Sequence, residues 1–147
     1  VGTQELDFHF AILQPSIGFR DFGEGISHLK EVTGRMQRDV KQYLIAVVSG
    51  TMPPGMVLAI CSLLDFSYLA QAPELDNNDC NMLLSSLRSF HKNKLHMIKA
   101  GGQRGKKDVI MSWYIPKLEL LHSVVPSIRN SGAPSQWSAD ITEHVHI

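Results

Sequence analysis

Apolar positions along this chain recur mostly at helical spacing. Residues 35–48 place Met36, Val40, Tyr43, Leu44, Val47 and Val48 at steps of four, three and four. That spacing puts them on one stripe of a helix, with Arg35, Arg38, Asp39 and Lys41 largely on other faces. Thr33 stands where a capping hydroxyl is wanted, and Gly50 is a natural stop. Pro53-Pro54 opens a second helix, because proline is tolerated in a first turn. Its body, MVLAICSLLDFSYLA, is apolar on nearly all sides, the pattern of a helix buried between others, and Pro73 ends it.

A third helix is expected over residues 79–99, capped by Asp76 or Asn77. Its apolar stripe is Cys80, Leu83, Leu84, Leu87, Phe90 or His91, then Leu95 and Ile98. AGGQRGKK breaks the pattern with three glycines. VIMSWYI, residues 109–115, reads as a strand or as a short lead into a helix that starts at Pro116. Pro126 is expected to end or kink that helix. IRNSGAPS then reads as a loop, and Trp137 begins a last short element. At the other end, DFHFAIL at residues 7–13 alternates weakly and is expected as a strand. A turn-rich stretch follows it, then a short helix over residues 25–32. The order is a strand followed by helix after helix, with no repeat of 20–50 residues. The fold class is mainly α, a helical bundle with little or no sheet.

Composition narrows the class without naming a function. With 147 residues and 44% apolar content, the chain is long enough to bury a core. It begins at Val1 and ends at Ile147 within a motif-like stretch, so a piece of a longer protein is expected. Cys61 and Cys80 are too few for a disulfide framework and form no C-x-x-C pair. They are expected as buried free thiols in a reducing compartment. No apolar run approaches the ~20 residues of a membrane span, and no signal-peptide pattern opens the chain. A soluble intracellular protein is expected.

Lys and Arg total 14, as do Asp and Glu, so overall balance carries no argument for a nucleic acid. Local clustering does. Lys92, Lys94, Lys99, Arg104, Lys106 and Lys107 are six of the 14 basic residues, and no acid interrupts them before Asp108. With glycines among them they suit contacts to a phosphate backbone, although a solvated charge run has the same composition. The stretch lacks the spacing of a phosphate-binding loop.

Two further constellations carry titratable groups. Glu119 and His122 are three apart and share a helix face, as a hydrogen-bonded pair, a joint cation site, or a surface pair without further role. In the terminal QWSADITEHVHI, Asp140 and Glu143 share a face on a helix, whereas His144 and His146 share one only on a strand. Both pairs cannot be co-facial in one regular element. A lone His-x-His is a weak metal signal. A small hydrolase using Glu119, His122, Glu143 and His144 would need loops to assemble it, and no nucleophile is indicated.

Several stretches together resemble Plavaka-type transposases, a CACTA-like group of cut-and-paste elements. They are LDFHFAILQPSIGFRDFGEGISHLKEVTGRMQRDVKQYLIAVVSG, DFSYLAQAP and WYIPKLELLHSVVPSIRNSGAPSQWSADITEH, with the Gly/Lys stretch between the last two. The resemblance runs in order over nearly the whole chain. It implies a DDE-class catalytic region with an RNase H-like fold, in which three acids hold two divalent metal ions, Mg or Mn. This segment would be the helical insertion and the C-terminal end of that domain. Residues 1–32 would be a lead-in, 33–100 the insertion, 101–108 the basic Gly-rich loop and 109–147 the return to the catalytic core. Trp137 and the acidic residues after it match the last catalytic block, with Glu143 as the third acid and metal ligand and Asp140 as its alternative. Glu119 and His122 stand where related groups carry a supporting motif, but with Glu in its first place. The first two acids have no counterpart here, and Asp7 and Asp21 do not match them. The resemblance therefore implies no DNA cleavage by this segment alone and no metal held by it alone. Its implied partners are DNA, the rest of the catalytic domain and a second copy of the chain, in the nucleus and away from membranes. A degenerate or domesticated helical interaction module is the rival expectation.

Overall fold

The computed structural model describes residues 2–13, 17, 21–102, 105 and 108–137. Five α-helices are present among them: α1 (Thr3–Ala11), α2 (Gly34–Val48), α3 (Pro54–Leu69), α4 (Asn77–Lys99) and α5 (Pro116–Ser131), followed by a short 3-10 helix, Pro134–Gln136. No strand occurs among the described residues. The chain divides into two compact units, residues 1–57 and 58–147, with the boundary inside α3.

In the first unit, the expected strand over residues 7–13 is α1 for most of its length. Leu6, Phe10 and Leu13 follow at steps of four and three and pack in a core with Val47 and Val48 of α2. The alternation of Phe8 with Phe10 was a coincidence of composition: Phe10 is 1% exposed and Phe8 60%. Phe22 meets Phe10 edge to face at 5.8 Å, a favoured ring geometry. The Asp7 carboxylate reaches across to residues 26 and 27. It accepts hydrogen bonds from the backbone N–H groups of Ile26 and Ser27, 2.8 Å each, and from the Ser27 hydroxyl. Gly25 enters this turn at φ +80°, where a Cβ would overlap the Asp7 side chain. The expected helix over 25–32 does not form, because Asp7 takes the amides at its start and Gly25 is left-handed.

Helix α2 begins as the sequence predicts. Thr33 caps it, its hydroxyl accepting from Met36 N–H at 3.3 Å. Met36, Val47 and Val48 are buried along the predicted stripe.

The second unit is built on α4. Asp76 and Asp79 form a reciprocal capping box, with bonds of 2.8 and 2.9 Å. One face of α4 buries Cys80, Leu83, Leu87 and Phe90 against Ala59 and Phe66 of α3 and Val125 and Ile128 of α5. A 2.7 Å bridge between the hydroxyls of Ser62 and Ser89 ties α3 to α4 inside this contact. Helix α3 buries Ala59, Ser62 and Phe66. Leu58 and Tyr68, expected inside from the all-round apolar pattern, are more than half exposed. Leu95 of the predicted α4 stripe is also 54% exposed.

Helix α4 stops on its glycines. Gly101, at φ +67°, donates to the Ile98 carbonyl and Gly102 to that of Met97, 2.8 Å each. This double closure satisfies carbonyls that a helix end leaves orphaned. The glycines expected in a mobile loop thus begin as a helix terminus. Residues 109–115 lead into α5 and form no strand ladder among the described residues. Pro116 sits in the first turn, as predicted. Helix α5 does not end at Pro126 but continues to Ser131, so half of the expected IRNSGAPS loop is helical. Pro126 is exposed, and Val125 and Ile128 on either side of it are anchored in the core. Packing on both sides of the ring carries the helix past the break. Gly132 then turns the chain at φ +84°, and the Trp137 indole N–H donates to its carbonyl at 3.1 Å.

Candidate nucleic-acid interface

The face of α4 turned from the core carries a basic row. Arg88, Lys92, His96 and Lys99 follow at steps of four, four and three, and all are exposed. One helical face collects such positions. Among the described residues none of the four is paired with a carboxylate. Along the axis the row extends ~16 Å.

This arrangement divides the basic stretch read from sequence. Lys92, Lys94 and Lys99 belong to the last turns of α4 rather than to a loop. Arg104, Lys106 and Lys107 lie outside the described residues. Lys94 does not share the row. It is half-buried on another side of the helix, its Nζ 3.0 Å from Nδ1 of His91. An ammonium has only protons to offer, so Nδ1 accepts and the ring proton of neutral His91 sits on Nε2. That Nε2 is buried without an acceptor. Burial first, then the Lys94 charge and His122, push the His91 imidazolium below its ordinary range.

His122 of α5 is where α4 and α5 meet at this level. Its ring lies parallel to that of His91, 12° between planes and 4.9 Å between centroids. Phe90 packs edge-on to His91 on one side and to Trp113 on the other, at 5.4 and 5.8 Å. Beside the imidazole pair opens a cleft of about 480 Å³, lined by Leu84, Leu87, Arg88, His91 and His122. Among the described residues no carboxylate lines it. Its walls are two leucines and two flat rings, and its charge is the Arg88 guanidinium.

The predicted Glu119–His122 pair shares a face of α5, but no hydrogen bond joins the two among the described residues. His122 has His91 as its neighbour instead. Asp140, Glu143, His144 and His146 lie outside the described residues. Among the described residues no three His, Cys, Asp or Glu side chains converge to hold a metal ion. Two stacked imidazoles do not aim their nitrogens at one point, so the described residues do not form a site fitted to Mg or Mn, nor to the zinc of a small hydrolase. Among the described residues no helix is long and apolar enough to cross a membrane.

Sequence reasoning missed Arg88, His91 and His96 as site residues. For Arg88 and His96 the signal was present in the three, four, four spacing of basic side chains back from Lys99, whereas the place of His91 depends on α5. The density of Lys beyond residue 92 drew the reading toward a loop. No family model, curated protein or solved structure matches the chain.

Proposed function

We propose that this chain is the helical part and C-terminal end of the catalytic region of a DDE-type, CACTA-like transposase, and that it grips the DNA backbone along α4. The observation that carries the proposal is the exposed row Arg88, Lys92, His96 and Lys99, free of carboxylate partners among the described residues. Projected on the duplex axis, ~16 Å spans about five phosphates of one strand. The family resemblance and the mainly helical fold support the same reading. In it, Glu143, with Asp140 as alternative, joins acids supplied by the RNase H-like core in holding Mg or Mn. The chain by itself binds DNA without cutting it, and the protein works in the nucleus.

Titration of duplex DNA at several salt concentrations tests the binding. Affinity should fall steeply with salt, and the double variant K92Q/K99Q should lower the slope by about 1.8. An affinity flat in salt, or a slope unchanged in the variant, sinks the proposal.

A second reading, a helical interaction module without catalysis, is favoured by Met111, Tyr114 and Leu120, which are 73%, 89% and 65% exposed. Exposed apolar side chains of this size mark contact surfaces when they cluster. Light scattering of the purified chain tests it: a stable dimer supports the reading, and a monomer at high concentration counts against it.

A further inference from the structure

The cleft between α4 and α5 shares Arg88 with the basic row but adds apolar and aromatic walls that the row lacks. A row of cations attracts any phosphate backbone. The cleft combines a guanidinium, Arg88, with an apolar floor, Leu84 and Leu87, and a flat ring, His122, one face of which is occupied by His91. His122 is exposed, and it lines the cleft as well as stacking on His91. Phe90 packs edge-on against His91, and Trp113 packs in turn against Phe90. A platform that is already stacked and braced loses little freedom when a third ring is added. The volume, about 480 Å³, is within the range of small-ligand sites.

We propose that this cleft binds one nucleotide unit, its base stacked on the open face of His122 and its phosphate on Arg88. The parts match the ligand one to one. Base stacking on an aromatic side chain combined with a nearby cation is the general means of holding an unpaired nucleotide. Leu84 and Leu87 cover the base edge that no hydrogen bond reads, so the site tolerates different bases. Guanidinium can grip the phosphate with two parallel N–H donors. A base inside a duplex is already stacked on both sides and does not fit, so the ligand is a single-stranded or free nucleotide. The inference deepens the nucleic-acid reading above and rests on it only for the source of the nucleotide.

The experiment follows the imidazole Cε1–H resonances of His91 and His122 in the full 147-residue chain. Adenosine 5′-monophosphate, single-stranded oligodeoxyadenylate, inorganic phosphate and duplex DNA are added separately. The His122 resonance should move upfield with either adenine ligand and stay in place with phosphate alone. A shift with the mononucleotide identifies a free-nucleotide site, and a shift with the oligonucleotide alone identifies a strand site. H122A should weaken binding of the responding ligand about tenfold, H122F should restore it, and R88Q should weaken it and, for the oligonucleotide, lower its salt slope by about 0.7. No shift with any adenine ligand, or equal affinity in H122A, overturns the proposal. Duplex binding that depends on Lys92 and Lys99 while H122A is silent overturns the cleft and leaves the backbone reading intact. A His122 shift without duplex binding does the reverse.

Discussion

The imidazoles of His91 and His122 lie face to face, 4.9 Å apart and 12° from parallel, with the Lys94 ammonium 3.0 Å from Nδ1 of His91. Three groups that can carry positive charge are thus gathered at one point of the α4–α5 contact. Burial and the neighbouring charges favour the neutral form of His91.

Acid should loosen this contact. Burial, Lys94 and His122 depress the His91 value below 6.5. The unfolded chain then binds more protons than the folded one as pH drops through 6.5, so stability is complete above that value and declines as pH falls toward the folded one. Lys94 on α4 and His122 on α5 oppose a charge on His91, Arg88 is the other cation lining the adjoining cleft, and Glu119, one turn from His122, is the nearest carboxylate along α5. Thermal melts between pH 7.5 and 5 should show a falling Tm, and H91Q should flatten the fall. A slope that H91Q leaves unchanged would place the acid sensitivity elsewhere.

Gly25→Ala should destabilise the first unit. A left-handed φ costs a non-glycine residue roughly 1–2 kcal/mol, and the added methyl meets Asp7. A Tm loss of at least ~4 °C is expected. An unchanged Tm would show that the turn at residues 25–27 is not held as described.

The register of α4 is tested by two leucines. Leu83 is 0% exposed and Leu95 54%. Leu83→Ala should cost about 2–5 kcal/mol, and Leu95→Ala about 0.5 kcal/mol or less. Urea unfolding midpoints compare them directly, and equal losses would contradict the burial of the second unit.

Pro126→Ala should stabilise. It restores an N–H to the middle of α5, where proline is disfavoured by ~3 kcal/mol relative to alanine, and loosens the unfolded chain by about 0.4–1 kcal/mol. A net gain of about 1–2 kcal/mol is expected because the helix has already adapted around the ring. A loss of stability would mean that the proline ring itself packs in the core.

Most helices were determined by the sequence locally. Thr33 before α2, Pro53-Pro54 before α3, Asp76 with Asp79 at α4 and Pro116 at α5 act on backbone groups within four residues, so their message is complete in a short window. The apolar stripes of α2 and α4 carry their period the same way. The tertiary structure decided the rest, wherever the partner is far along the chain. DFHFAIL satisfied both periods, and the helix won because α2 offers Val47 and Val48 to a face built of Leu6 and Phe10. The hold of Asp7 on Ser27 spans 20 residues, and the His91–His122 stack joins two helices across the break after Lys99. Pro126 reads as a stop until packing on both sides of it is known. Capping and periodicity are local and survive in any window of the sequence. Burial, ring stacking and the cleft at Arg88 arise only when distant segments meet, because their energies depend on which surfaces leave water together.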